Sequence, residues 1–260
     1  MRSKKLFAAA LLLLAALCLP GALCAADVIG VVLLHGKNGE ASANGEVARV
    51  LGQAGFLVER PEMPWSKRRQ FDASYDQAML EIDAAVAGLR ARGATKVAIA
   101  GHSLGANAAM GYAARRTGLY AVIALAPGHV PEGYLRRFGE DIRHARELVA
   151  AGKGDSTGSF SHDNQGSVLQ MTTTVAIYLS YCDPEVGAVI PRNVAAFKES
   201  LPFLWVVGAS DVMFKRGEEY AFAKAPANPK SRYLVVQAGH KSTPDMAAGQ
   251  VALWLQGLKD

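Results

Sequence analysis

The sequence predicts an α/β fold, a doubly wound and mostly parallel sheet of about six strands with a small inserted segment. Short apolar, β-branched runs alternate with helical stretches along the chain, which is the order of a parallel sheet with right-handed crossover helices. The first run, residues 28–34, is apolar throughout apart from one glycine, as expected of a strand buried on both faces. Residues 27–260 are long enough for one such domain with a large core.

The predicted elements follow one another in strict alternation. Strands are predicted at residues 28–34, 56–59, 96–100, 119–126, 202–208 and 232–237. Helices are predicted near residues 43–54, after residue 74, after residue 105 and from residue 243 to the end. The second helix begins with a capping box, Ser74 and Gln77, and carries apolar residues at steps of three and four. Thr243 and Pro244 are typical of a helix start.

Residues 1–26 have the pattern of a secretory signal peptide. A basic start with Arg2, Lys4 and Lys5 precedes an apolar run of 14 residues, which is short for a membrane span. Pro20 and small residues follow, which predicts cleavage near Ala25 or Ala26. We therefore expect an exported protein, periplasmic or secreted, with no stable membrane insertion after cleavage. An uncleaved anchor is the alternative.

Charge and cysteine content argue against nucleic-acid binding and against a disulfide-stabilised fold. Removal of the three basic residues of the leader lowers the formal charge from +5 to +2, so the remaining chain gives no electrostatic case for nucleic-acid binding. Two of the three cysteines leave with the leader. Cys182 alone remains, so no internal disulfide is expected, and its predicted role is a buried apolar filler.

The most informative motif is Gly-His-Ser-Leu-Gly at residues 101–105. It follows a predicted strand and opens a helix of small residues. A serine at the tip of so sharp a turn adopts a strained backbone, and side chains two positions away on either side would clash with it. Gly101 and Gly105 remove those clashes. The motif in this context predicts a nucleophile elbow that exposes the Ser103 hydroxyl.

Three other predicted strands end in residues of catalytic type. The first strand ends in His35-Gly36-Lys37, the strand at 202–208 is followed by Asp211, and the last strand ends in Gly239-His240. The carboxyl ends of parallel strands meet at one edge of the sheet, where ligands bind. The chain order is Ser, Asp, His.

These motifs, in this order, resemble the α/β-hydrolase superfamily over nearly all of residues 27–260, without the first two strands of the full fold. The resemblance implies that Ser103 is the nucleophile, His240 the general base and Asp211 the acid that orients the histidine. It further implies an oxyanion hole formed by the backbone N–H groups of Lys37 and Leu104. His35 is then expected to hold its loop by hydrogen bonds rather than to act in catalysis.

The same resemblance predicts a role for the long connection between the fourth and fifth predicted strands. Members of the superfamily often carry a cap over the active site at this point, so residues 129–200 are predicted to form a cap or lid. Within it, residues 141–151 are predicted to be helical, 152–159 loose and 168–181 apolar. The segment also holds three histidines and Cys182, but no spacing typical of metal ligands. No metal and no cofactor are expected.

Residues that contact a substrate are less well defined by the sequence. Trp65 and His102 are candidates. Residues 67–69, Lys-Arg-Arg, form the main basic cluster, and Trp65 and Phe71 flank it. The cluster is either a solvated loop or a patch that attracts an anionic substrate.

The sequence predicts an exported serine hydrolase that cleaves a carboxylic ester, thioester or amide of a small-molecule or acyl substrate, with carboxylesterase activity favoured. Alternatives are an acyltransferase that uses the same acyl-enzyme, a peptidase, and a catalytically silent fold used for binding. A peptidase requires a charged group for a chain end, and the cap offers Glu132, Glu140, Asp163 and Arg192. Asp183 is the alternative to Asp211 as catalytic acid.

Overall fold

A computed structural model describes residues 27–259, and the predicted signal peptide lies outside the described residues. Eight strands are found there: β1 Ile29–Leu34, β2 Leu57–Glu59, β3 Lys96–Ser103, β4 Ala121–Pro127, β5 Thr157–Asn164, β6 Ser167–Thr174, β7 Phe203–Gly208 and β8 Arg232–Val236. Six of them form one sheet in the order β2-β1-β3-β4-β7-β8, with every pair parallel. The prediction of a six-stranded parallel sheet is confirmed. Strands β5 and β6 form a separate antiparallel hairpin.

Seven α-helices accompany the strands within the same residues: α1 Gly45–Gln53, α2 Tyr75–Ala91, α3 Leu104–Ala113, α4 Leu135–Ala150, α5 Val175–Cys182, α6 Ile190–Ala195 and α7 Thr243–Gln256. The capping box predicted for α2 is present, because the Ser74 side chain accepts from the Gln77 N–H and the Gln77 side chain accepts from the Ser74 N–H. Among the described helices, none combines the length and the apolar character needed to cross a bilayer.

Strand β1 shows why its sequence is almost uniformly apolar. Successive side chains of a strand point to opposite faces of the sheet. Val32 and Leu34 belong to the core on one face, whereas Val31 and Leu33 belong to the core on the other. The first core is covered by α2, α3 and much of the segment between β4 and β7, and the second by α1 and α7.

Residues 129–200, hereafter the insert, contain α4, the hairpin, α5 and α6. The structure corrects three predictions here. Helix α4 begins at Leu135 rather than at residue 141, part of the loose segment forms β5, and the apolar run divides into β6 and α5. The hairpin reverses at Gln165 and Gly166, both with positive φ (53° and 84°), the backbone form that matches the twist of paired strands.

The sheet gathers the motif residues at one edge. The loops that follow β1, β4, β7 and β8 carry His35-Gly36-Lys37, Gly128, Asp211 and His240, while Ser103 ends β3 and Leu104 begins α3. All of these strands run in the same direction, so their carboxyl ends lie together. The turn of the β5–β6 hairpin lies over this edge, because its residues share a cavity with Ser103.

Candidate active site

Ser103 lies at the junction of β3 and α3 with a strained backbone, φ 56° and ψ −117°. Both glycines of the motif are required by close approaches. A Cβ on Gly101 would lie 2.2 Å from the Gly105 carbonyl oxygen, and a Cβ on Gly105 would lie 2.5 Å from the Leu34 carbonyl oxygen. Any larger residue at either position would force the turn or β1 to move. The local sequence therefore determines how the serine is presented.

The hydroxyl of Ser103 belongs to a hydrogen-bonded series of three side chains. Its Oγ lies 2.9 Å from Nε2 of His240, and Nδ1 of His240 lies 2.7 Å from Oδ2 of Asp211. The other carboxylate oxygen of Asp211 accepts from the Met213 N–H at 2.9 Å, which fixes the carboxylate at the start of a 3₁₀ turn. Asp211 is buried, while the His240 side chain is 11% exposed. A buried carboxylate in this position selects the tautomer with the proton on Nδ1 and a free lone pair on Nε2.

His102, the residue before the nucleophile, packs beside His240. Its Nε2 donates to the His240 carbonyl oxygen at 3.0 Å, and the two rings are 5.0 Å apart. Burial, and then the neighbouring His240, lower the pKa of His102 to about 4, so the ring is neutral at pH 7. These contacts support the loop that carries His240, and the contact of His102 with a substrate stays a prediction.

The loop after β1 is held by His35, as predicted. Its Nδ1 donates to the Gly36 carbonyl oxygen at 2.8 Å, and its Nε2 accepts from the Met63 N–H at 3.0 Å. Trp65 donates from Nε1 to the His35 carbonyl oxygen at 2.8 Å and is fully buried. The prediction that Trp65 contacts substrate is therefore wrong, because its indole is part of the core that supports this loop.

This arrangement brings Gly36 against the nucleophile. A Cβ on Gly36 would lie 3.1 Å from the Ser103 Cβ. The next residue, Lys37, has a backbone N–H that donates to no acceptor in residues 27–259. Leu104 is the first residue of α3, and the first N–H groups of a helix have no partner within it. Both amides are thus available for an oxygen atom near Ser103.

Gly128 and His129 are site residues that the sequence motifs did not identify. A Cβ on Gly128 would lie 2.8 Å from the Ser103 Oγ and 3.3 Å from the His240 Cε1. His129 is buried with φ 64°, donates from Nε2 to the Tyr181 carbonyl oxygen at 2.7 Å, and has a pKa well below its usual value because of burial. The sequence could have identified them by their position directly after β4, because the carboxyl ends of the neighbouring strands carry the other motifs.

A cavity of about 220 Å³ opens beside the Ser103 hydroxyl. It is bounded by Gly128 and His129, by the hairpin turn at residues 163–166, and by Val212 and Met213 after β7. Lys37 also lines it. Such a space is smaller than the ~300–1,000 Å³ that is usual for drug-sized ligands, so it suits a small group.

The charged residues considered for a peptidase are mostly occupied elsewhere. Glu132 accepts from the Tyr220 hydroxyl, and Arg192 donates to the Glu185 carbonyl oxygen. Of the four candidates only Asp163 lines the cavity beside Ser103, and its carboxylate is bound by Arg137. Asp183, the alternative acid, is paired with Arg146 through two hydrogen bonds of 2.5 and 2.7 Å.

The basic cluster at residues 67–69 is not one surface. Arg69 is partly buried and binds Glu81 through two nitrogens, so it is a structural residue. Lys67 and Arg68 are exposed, and Phe71 is buried. Cys182 is buried and has no disulfide, in agreement with the predicted apolar filler. Within residues 27–259, no three His, Cys, Asp or Glu side chains are grouped so as to hold a metal ion.

Comparison with known proteins agrees with this geometry. The sequence model of the alpha/beta hydrolase family matches residues 31–252. No curated protein sequence gives a significant match. The chain therefore belongs to the alpha/beta hydrolase family.

Solved structures share the fold at low sequence identity. A monoacylglycerol lipase from Paleococcus ferrophilus is 21% identical, with a TM-score of 0.61 over 88% of this chain and 94% of the lipase. The alpha/beta hydrolase GrgF from Penicillium sp. sh18 is 16% identical, with a TM-score of 0.65 over 90% of each chain. A thioesterase domain from the curacin biosynthetic pathway is 15% identical, with a TM-score of 0.58 over 88% of this chain and 91% of the domain.

Proposed function

We propose that this protein is a serine hydrolase that cleaves a carboxylic ester, thioester or amide through an acyl-enzyme on Ser103. The observation that carries the proposal is the hydrogen-bonded series from Ser103 through His240 to Asp211. Membership of the alpha/beta hydrolase family supports it, as do structural neighbours described as a lipase, a thioesterase and esterases. Carboxylesterase activity on small substrates is favoured by the size of the cavity.

The reaction follows from the positions of these atoms. Nε2 of His240 takes the Ser103 proton as Oγ attacks the carbonyl carbon, and Asp211 stabilises the imidazolium that forms. The negative charge that develops on the carbonyl oxygen is bound by the N–H groups of Lys37 and Leu104. His240 then returns the proton to the leaving group as the bond to it breaks. Water, deprotonated by His240 in the same way, releases the acid from Ser103.

The proposal is tested with p-nitrophenyl esters of increasing chain length. We expect turnover of short acyl chains, with kcat/KM falling once the chain exceeds the cavity. Ser103→Ala should abolish turnover and leave the melting temperature close to wild type, because the change removes one hydroxyl. Turnover by Ser103→Ala at a rate comparable with wild type would contradict the proposal.

We further propose that the insert acts as a lid over the site and that the protein is exported. The first proposal is supported by the hairpin turn, which shares the cavity with Ser103. The second is supported by the sequence of residues 1–26 alone. N-terminal sequencing of the exported form should begin near Ala26 or Asp27, whereas an intact Met1 on a membrane-bound product would indicate an anchor.

A further inference from the structure

The ammonium group of Lys37 is held by the hairpin whose turn bounds the cavity beside Ser103. Lys37 follows the His-Gly dipeptide of the loop after β1, and it lines the same cavity as Ser103. Its Nζ donates to the Asp163 carbonyl oxygen at 2.7 Å and to Nδ1 of His162 at 3.0 Å, both on the hairpin. An ammonium group has three N–H donors, so one remains for a ligand.

This partly buried positive charge is not neutralised by the protein. Lys37 forms no salt bridge with a carboxylate in residues 27–259. The nearest candidate, the carboxylate of Asp163, is bound by the Arg137 guanidinium and accepts from the Gly166 N–H at 3.2 Å. A buried charge without a counter-ion is costly, which makes the cavity complementary to an anion.

The other titratable groups around Nζ are neutral at pH 7. Burial, and then the charge of Lys37, lower the pKa of His162 to about 3. His129, next to the cavity, has a pKa well below its usual range, first because it is buried and then because of Lys37. Burial raises the pKa of the Cys182 thiol to about 12. Among the described residues, the Asp163 carboxylate is the one negative charge near Lys37, and Arg137 binds it; the other titratable neighbours act as dipoles.

We infer that the Lys37 ammonium binds a negatively charged group of the substrate, and that the preferred substrates are small esters or thioesters with a carboxylate close to the scissile carbonyl. The inference rests on the proposed function and adds the substrate class. The backbone N–H of Lys37 donates to the oxyanion, and its ammonium group binds the anionic group of the substrate. One residue therefore fixes the position of the anionic group relative to the scissile carbonyl. The carboxylate can belong to the acyl part or to the alcohol part of the ester.

Two pairs of esters that differ only in the charged group test this inference. Monoethyl succinate and ethyl levulinate differ by a carboxylate in place of an acetyl group on the acyl side. O-Acetylglycolate and acetoxyacetone differ in the same way on the alcohol side. The quantity measured is the ratio of kcat/KM for the anionic ester to that for its neutral partner. The pair with the higher ratio shows whether Lys37 binds a carboxylate on the acyl side or on the alcohol side of the ester.

Lys37→Met removes the charge and keeps the backbone N–H, while Lys37→Arg keeps both. A hydrogen bond to a charged group predicts that the wild-type ratio in one pair falls about 10- to 100-fold in Lys37→Met. Lys37→Arg should retain most of the ratio. Melting temperatures show whether either variant loosens the hairpin. A wild-type ratio near one in both pairs, or one that Lys37→Met leaves unchanged, would overturn the inference.

The ratio should also depend on pH. Burial lowers the pKa of Lys37 to about 8, so the unliganded ammonium loses its proton above that pH. His162 and His129 stay neutral from pH 7 to 9.5, the Cys182 thiol remains protonated, and Asp163 remains bound to Arg137. The preference for the anionic ester should therefore fall above pH 8, and should do so less in Lys37→Arg. Effects on His240 act on both esters and cancel in the ratio.

Binding without turnover separates this inference from the proposed function. Ser103→Ala keeps Lys37 and the cavity, and titration calorimetry measures its affinity for monoethyl succinate, O-acetylglycolate and the neutral partners. Tighter binding of an anionic ester, lost when Lys37→Met is added, supports the inference even if the esters are not hydrolysed. Hydrolysis of neutral esters with no anion preference, and equal binding of all four, would leave the proposed function intact and refute the role of Lys37.

Discussion

Gly128 has no side chain, and the Ser103 hydroxyl and the His240 ring occupy the space that a side chain would fill. A Cβ at this position would lie 2.8 Å from the Ser103 Oγ and 3.3 Å from the His240 Cε1. Overpacking by one methyl group costs about 1–3 kcal/mol, and here the strain falls on the reacting atoms. We expect Gly128→Ala to lower kcat/KM for a short ester by about 10- to 100-fold.

The matched control is Gly133→Ala, in the insert. A Cβ on Gly133 meets no atom within 4 Å, and its φ is not positive. Its steady-state kinetics should equal those of wild type within a factor of two or so. If Gly128→Ala were as active as Gly133→Ala, Ser103 and His240 could not be the reacting pair in the arrangement described.

Asp211 and Asp183 are both buried acids, but their partners differ. Asp211→Asn keeps the shape and removes the charge that selects the His240 tautomer, so kcat should fall by about 10⁴. Asp183→Asn breaks a pair with Arg146 instead. It should lower the urea midpoint while kcat stays within about threefold. The opposite result, a large kcat loss only in Asp183→Asn, would assign the catalytic acid to the insert.

At the scale of elements, the sequence predicted the sheet well and the insert poorly. Strands β1, β3, β4 and β7 are buried, and their apolar runs are unambiguous. The hairpin differs because β5 and β6 are rich in Ser, Thr, Asp and Asn and only partly buried. Such strands are stabilised by pairing with each other and by a turn at Gln165 and Gly166. A short apolar pattern does not reveal either feature, so the sequence did not predict the hairpin.

Helix α3 is joined to the insert by one buried amide. Nδ2 of Asn107 donates to the His129 and Ala188 carbonyl oxygens at 2.8 and 2.7 Å, and its Oδ1 accepts from the Tyr75 hydroxyl at 2.8 Å. Asn107→Ala leaves the His129 and Ala188 carbonyl oxygens without this donor, at about 1–3 kcal/mol each. The Tyr75 hydroxyl keeps its hydrogen bond to the backbone carbonyl oxygen of residue 107 at 3.1 Å. We expect a loss of ~3 kcal/mol or more in the free energy of unfolding, measured with urea.

Tyr75→Phe is the comparison for that prediction, because it removes a single hydroxyl from the same network. It should lower the free energy of unfolding by about 1 kcal/mol. The double variant should lose less than the sum of the two, since both remove the same hydrogen bond. Additive losses would show that Asn107 and Tyr75 are not coupled, and a loss in Asn107→Ala no larger than that in Tyr75→Phe would show that Asn107 does not join α3 to the insert.

For the whole molecule, the sequence predicted those site residues that lie at the ends of strands. The order Ser103, Asp211, His240 could be read because each residue lies at the carboxyl end of a buried strand, and such ends meet. The prediction for Trp65 was wrong because local sequence does not show which way a loop side chain points. The Trp65 indole packs in the core and donates to the His35 carbonyl oxygen, and the His102 ring donates to the His240 carbonyl oxygen.

The central claim is that Ser103 is the nucleophile, and covalent labelling tests it most directly. The protein is treated with a fluorophosphonate, digested, and the modified peptide is identified by mass spectrometry. We expect a single adduct on Ser103 that is absent from Ser103→Ala and forms far more slowly in Asp211→Asn. An adduct on another residue, or continued labelling of folded Ser103→Ala, would contradict it.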